Sequence, residues 1–261
     1  MRLAFQLIAA LACTLSALST SYGGVDIKAY PFPDGRSRVL VSIKGAITGD
    51  ELETLQILET LQREIDSKRS PYILVFVESP GGDWAAALTL GRFLRKIGAT
   101  VLVTEQGCYS SCVLILAAGL RRQVMGPVGI HRPYSTDLSP QTFSEAQRRY
   151  RALEAATKAY LSEMNLPESL FDAIVRTPPE SIRRLTVLEL QRFGLSQDDP
   201  VAQEMDDAEE ARELGLSKEE YLRRKARREN VCQLQDLGAN RIKESVESYM
   251  NCRKAVMQGR R

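Results

Sequence analysis

Residues 72–134 read YILVFVESPGGDWAAALTLGRFLRKIGATVLVTEQGCYSSCVLILAAGLRRQVMGPVGIHRPY, and this stretch decides the fold. Ile73 to Glu78 and Thr100 to Thr104 are short apolar runs of the kind that form parallel strands covered on both faces. Each run leads into a turn, and each turn opens a helix. The first turn, Ser79-Pro80-Gly81-Gly82, offers backbone N–H groups with no side chain in the way. The second, Gly107-Cys108-Tyr109-Ser110-Ser111, delivers a hydroxyl to the start of an apolar helix. His131, the only histidine, follows at the end of another apolar run. A donor loop, a hydroxyl at a helix N-terminus and one imidazole are the parts of an acyl-transfer site.

Working outward, Arg38 to Lys44 alternates apolar and polar residues and reads as a strand. Thr48 and Glu51 have capping-box spacing, and Leu52, Leu55, Leu58 and Ile65 mark one face of a helix from Gly49 to Ser67. Asp83 to Ile97 is the next helix. Strand, helix, strand, helix, strand in that order predicts parallel strands joined by right-handed crossovers. Downstream, Ser111 to Ala118 is an apolar helix closed by Gly119. Gln123 to Met125 and Val128 to His131 are short strands. Ser139 as N-cap and Pro140 at the first helical position start a long helix with an apolar stripe at Phe143, Ala146, Tyr150, Leu153, Ala156 and Tyr160. Leu170 to Val175 is a short helix, Thr177-Pro178-Pro179 breaks the chain, and Thr186 to Phe193 is a further helix ended by Gly194.

After Pro200 the character changes. Asp206 to Glu213 is acidic and Arg223 to Arg228 is basic. Leu214 to Arg228 and Ala239 to Met257 both read as helices. The segment is either a solvated helical tail with paired surface charges or a docking element for a partner.

At 261 residues, 44% hydrophobic and 26% charged, the chain fits one medium domain with a helical appendage. A net charge of +2 points neither to nucleic acid nor to a strongly acidic partner. Met1-Arg2, the apolar run Leu3 to Leu18 and the small residues Ser19 to Gly24 read as an export signal, residues 1–23, cut between Ser19 and Gly24. An uncleaved anchor is the alternative, and Ala10-Leu11-Ala12-Cys13 is a faint lipoprotein site. No second membrane-length run follows. The mature chain is expected to be exported, to the periplasm, with no stable membrane span.

Removing the signal leaves Cys108, Cys112, Cys232 and Cys252. An even number outside the cytoplasm permits disulfides. Cys232 with Cys252 would staple two C-terminal helices, Cys108 with Cys112 would clamp the serine turn, or all four stay free thiols. One histidine and scattered cysteines make no metal-ligand cluster, and no cofactor is expected.

Each candidate also has an ordinary explanation. Ser110 and Ser111 fit helix caps, the commonest job of serine there. Equally, Ser111 fits a nucleophile whose helix dipole favours developing negative charge. His131 is either a hydrogen-bonded strand-end residue or the general base. Gly81 and Gly82 are either a plain Pro-Gly turn or oxyanion donors, with the N–H of Cys112 as a further donor.

Taken together, the motifs over Arg38 to Leu195 resemble the Clp protease proteolytic subunit and its relatives in the crotonase-like superfamily, in an exported branch. In that family a strand ends in Ser-Pro-Gly-Gly, as at Ser79 to Gly82. The catalytic serine lies four residues after a glycine, as Ser111 follows Gly107. Ala117-Ala118-Gly119 ends the next helix, the histidine sits in an Ile-His-x-Pro turn as at Ile130 to Pro133, and Leu185-Thr186 leads to Phe193-Gly194-Leu195. The resemblance implies an α/β fold, a repeated β-β-α superhelix with parallel strands over residues 24–200, followed by a charged helical extension, residues 201–261. It also implies a homo-oligomeric serine peptidase acting on peptide or protein substrates. Two departures stand out. The segment between serine and histidine is short, and the family's acid falls at Ile182, where no carboxylate stands. Glu180 is the nearest substitute and Asp172 a weaker one. Without either, a Ser–His dyad or a silent binding and assembly module on the same scaffold remains. An acyl-CoA enzyme ranks last, because an exported protein does not meet CoA.

Overall fold

The computed structural model describes residues 19–22, 24–31, 37–53, 55–56, 72–134, 142–233 and 242–260. The apolar run at 3–18, Cys13, Leu58 and Ile65 of the first expected helix, and the expected helix start at Ser139 and Pro140 lie outside the described residues. The chain divides into two compact units, residues 1–199 and 200–261. Among the described residues no helix is long and apolar enough to cross a membrane.

The first unit is mixed α/β. Its strands in chain order are β1 (Ser19–Tyr22), β2 (Val25–Pro31), β3 (Ser37–Lys44), β4 (Tyr72–Ser79), β5 (Thr100–Tyr109), β6 (Arg121–Val124), β7 (Val128–Ile130) and β8 (Arg183–Arg184). They form one sheet in the order β1-β2-β3-β4-β5-β7-β8, with β6 beside β5. Pairing is parallel from β3 through β7 and antiparallel at both ends. The parallel centre is the part that the apolar runs predict. The antiparallel hairpin is not predicted by the apolar runs: Ser19 to Tyr22, within the expected export signal, pairs as a strand with Ser19 opposite Lys28 and Tyr22 opposite Val25. β2 comes from an alternation that the sequence reading passed over, with Val25 and Ile27 buried and Asp26 and Lys28 more open.

β4 corrects another expectation. Ile73, Val75, Val77 and Ser79 are buried while Leu74, Phe76 and Glu78 are half-buried, so one face is closed and the other is only partly covered.

Helix α1 (Trp84–Lys96) begins where Asp83 Oδ1 accepts the Ala86 N–H at 2.6 Å. Helix α2 (Cys112–Ala118) is buried at all seven positions, which an unbroken apolar run permits. Helix α3 (Phe143–Glu163) starts with a Thr142–Glu145 capping box, its cap three residues after the expected Ser139. Its stripe is not a uniform core face: Phe143 and Tyr150 are exposed, and the buried residues are Thr157, Tyr160 and Leu161 near its C-terminal end. There the Tyr160 hydroxyl donates to Leu114 O at 2.6 Å. It lies against Gly91 so closely that a Cβ there would sit 1.9 Å away. One phenol thus ties α1, α2 and α3 together, and burial pushes its pKa up. Helices α4 (Ser169–Arg176) and α5 (Val187–Arg192) complete the unit, α5 with its own Thr186–Glu189 capping box.

A buried ionic node lies at the far end of α2. Arg122 donates from Nε to Ala117 O, from Nη1 to Gly194 O, and from Nη2 to Met164 O and Asp199 Oδ2. Arg95 Nη1 lies 2.9 Å from the same Asp199 oxygen. Carbonyls at or just past the C-terminal ends of three helices therefore meet one cation, the sign their dipoles favour. Burial pulls the Arg122 pKa below its ordinary value, and Asp199 offsets part of that.

The second unit comprises α6 (Pro200–Glu213), α7 (Lys218–Val231) and α8 (Ile242–Met257). The sequence reading marks α6 only as an acidic stretch; it is a helix. Cys232 and Cys252 are bridged, Ala211, Tyr221 and Met257 form a small core, and Lys225 pairs with Asp207 at 2.6 Å.

Candidate active site

Three loops converge because β5 is longer than its apolar run. Val77 pairs with Val103, but Ser79 pairs with Cys108, so two steps along β4 match five along β5. Such a bulge bends a strand and re-aims its remaining residues. Past the bulge, Cys108 is flanked by Ser79 on one side and Val128 on the other, and Tyr109 pairs with Gly129. The Ser-Pro-Gly-Gly turn, the serine turn and the strand that delivers His131 thus share one short stretch of backbone.

The serine turn is tightly specified. Ser110 has a positive φ of 55°, rare for a residue with a side chain, and its N–H donates to Gly129 O at 2.9 Å. Cys108 and Cys112 are bridged around it, with Cα atoms 5.4 Å apart. Ser111 is the N-cap of α2 but makes no side-chain cap bond. Its hydroxyl instead donates to Gly82 O at 3.1 Å. The capping explanation therefore does not account for this serine.

The two glycines separate in role. Gly81 donates its N–H to Ser79 Oγ at 3.0 Å, so this candidate oxyanion donor is already occupied. Its part is conformational: φ is 98°, and a Cβ would lie 2.6 Å from Ser110 Cβ. Gly82 bridges to Ile47, whose O is 2.2 Å from where a Cβ would stand. Among the described residues, the N–H groups of Gly82 and Cys112 have no hydrogen-bond partner.

His131 is 8% exposed and Ser111 is 0% exposed, so the pair is largely withdrawn from water. His131 Nδ1 lies 3.0 Å from Arg132 O. A carbonyl only accepts, so Nδ1 carries a proton, and of the two neutral tautomers this contact selects the one with its lone pair on Nε2. The turn is itself anchored by the Arg132 N–H, which donates to Thr177 O at 2.8 Å. Thr177 also lines a groove of about 660 Å³ with Arg176, Arg183, Glu189, Arg192 and Phe193.

Two expected contacts are not made. Ser111 and His131 share no hydrogen bond, because Gly82 O holds the hydroxyl. Glu180 is exposed and makes no bond or ion pair to His131. The β7–β8 ladder ends with Gly129 facing Arg184 and Ile130 facing Arg183, and the Ile182 side chain lies against Gly129. Ile182 is 54% exposed, and Glu180 lies two residues further along, in a turn. The polar partner of the imidazole is the Arg132 carbonyl, which no side-chain motif announces. Asp172 lines the groove with Arg176 and makes no bond to His131.

Both sulfur pairings that the sequence left open are formed, Cys108 with Cys112 and Cys232 with Cys252. Among the described residues no three His, Cys, Asp or Glu side chains group as a metal site. Comparison with protein-family models and with curated proteins finds no match for this chain.

Proposed function

We propose that this chain is an exported, ATP-independent serine peptidase-like hydrolase, built on the scaffold of the Clp proteolytic subunit and the wider crotonase-like superfamily. One observation carries the reading. The Gly82 and Cys112 amides are left open beside a buried serine hydroxyl that already touches the Gly82 peptide. The Cys112 donor is wholly buried, and buried donors are normally satisfied, the usual exception being a place where charge develops; the Gly82 donor is open to the approach side.

In the proposed reaction the Ser111 hydroxyl turns from Gly82 O toward His131. Nε2 takes its proton as Oγ attacks the scissile carbonyl, and the carbonyl oxygen becomes an oxyanion held by the N–H groups of Gly82 and Cys112. The imidazolium then protonates the departing amine, and water repeats the sequence to free the serine. The Arg132 carbonyl keeps Nδ1 protonated, the tautomer a general base needs, and does part of what a carboxylate would do. Outside the cytoplasm no ATP-driven unfoldase is at hand, so the substrates are flexible chains or short peptides. A homo-oligomer completes the proposal.

The test is labelling by a fluorophosphonate. Wild type labels and Ser111→Ala does not; equal labelling of both removes Ser111 as nucleophile.

A second reading is favoured by the hydrogen bond of Ser111 to Gly82 O and by the backbone carbonyl that stands at His131 Nδ1 where a triad would have a carboxylate. Here the scaffold is a silent binding or assembly module. An unreactive wild type whose partner capture depends on residues 206–261 would select it.

A further inference from the structure

The two disulfides differ in what they enclose. Cys232–Cys252 spans 20 residues and joins the end of α7 to α8. Cys108–Cys112 spans four and encloses only Tyr109, Ser110 and Ser111. Stabilisation through the unfolded chain grows with the length of the closed loop, so the short bridge is the poorer staple. Both ends of its loop are also anchored already: Cys108 is hydrogen-bonded within the sheet, and Cys112 opens a helix buried along its whole length. Its position is the informative feature. Cys108 lies at the strand position flanked by Ser79 and Val128, where the donor loop and the histidine strand meet. Cys112 carries one of the two open amides and sits next to Ser111. The bridge therefore connects the reference point of the site directly to its nucleophile and donor, across a residue with positive φ.

We infer that the Cys108–Cys112 disulfide is a positioning element of the active site. It fixes the Cys112 N–H and Ser111 against Gly82, and its reduction switches the serine off while the fold persists. The inference rests on the hydrolase reading. In the reduction, a thiolate of a dithiol attacks one bridge sulfur to form a mixed disulfide, and the second thiol of the reagent resolves it. Two electrons and two protons pass to Cys108 and Cys112, and the reagent leaves as a cyclic disulfide. Both cysteines are 0% exposed, so exchange needs local opening and runs slower than at Cys232, which is 5% exposed.

The experiment measures saturation kinetics of fluorophosphonate labelling on the full chain. It compares wild type, Cys108→Ala/Cys112→Ala and Cys232→Ala/Cys252→Ala, with amide hydrogen exchange over residues 107–116 in parallel. The first double variant is expected to lose about 100-fold in maximal labelling rate, the scale of one oxyanion donor, with half-saturation unchanged. Exchange should quicken at 109–113, and the second double variant should match wild type in both. A first double variant that labels at the wild-type maximal rate overturns the inference. If that variant does not fold, wild type treated with dithiothreitol replaces it. Reversible loss of labelling with intact far-UV circular dichroism sustains the inference, and loss in step with the dichroism overturns it. If wild type never labels, the hydrolase reading fails by itself. The active-site role then falls with it, and exchange decides only whether the bridge holds the turn: no change at 109–113 on breaking it overturns that too.

Discussion

Helix α2 has two ends, and they are treated in opposite ways. At its C-terminal end the Ala117 carbonyl, with Gly194 and Met164 from neighbouring segments, is met by Arg122, and Asp199 neutralises the guanidinium. At its N-terminal end the serine that should cap it bonds elsewhere, and the Cys112 N–H stays open. The same seven buried residues join a saturated end to an unsaturated one. A buried polar group with every bond made contributes to holding the fold, whereas one with bonds left unmade is held in place by the fold for another purpose.

Substitutions can test that asymmetry from either side. The largest effect is expected at the open end: His131→Gln should lower the fluorophosphonate labelling rate by about 10²–10⁴-fold, the range of a lost general base, with little change in melting temperature. At the closed end, Asp199→Ala leaves Arg122 buried without its counter-charge. It should cost about 3–5 kcal/mol in chemical denaturation while the folded fraction labels at the normal rate. A converse result, with Asp199→Ala killing labelling at full stability, would break the contrast. Ile182→Asp sharpens it by placing a carboxylate one residue beyond the β7–β8 ladder, on the side of the sheet end where His131 follows β7. The labelling rate should rise by at most about tenfold, and the ascending limb of its pH profile should move to higher pH, because a nearby anion favours the imidazolium. The smallest effect is at the α5 capping box. The N–H of Thr186, with Arg183 beside it, holds the Glu189 carboxyl below its ordinary pKa. A depressed carboxylate gives stability that is fully present above its unfolded pKa and is lost as pH falls through the folded one. Glu189→Gln should therefore cost about 1 kcal/mol at neutral pH, and that difference should vanish in acid melts.

The strands at 73–78 and 100–104 and the helix from Asp83 to Ile97 were legible as elements, because periodicity alone marks them; the cap that Asp83 makes and the half-open face of β4 were not. The second half of β5 was not: Glu105-Gln106-Gly107 has no strand character and falls in the bulge, and the ladder resumes only at Cys108 and Tyr109. β1 was obscured because small polar residues suit a cleavage site as well as an edge strand. At the site, Ser111, His131 and the Gly-Gly turn could be picked out by residue type and order. The choice of Gly82 over Gly81 depends on where Ser79 Oγ points, and the Arg132 carbonyl is backbone, so neither leaves a trace in composition. Arg122 and Asp199 sit in Arg-Arg and Asp-Asp pairs that look like ordinary surface charge. Only the folded chain selects one of each.

The complete burial of α2 has a consequence for heat. A catalytic loop on a surface segment commonly softens before the rest of a protein melts, and activity fades early. Here the donor and the hydroxyl are mounted on the core itself, through Leu114, Ile115 and the Tyr160 phenol. Inactivation and global melting should then coincide on a temperature ramp, with no interval in which the folded protein is already inert.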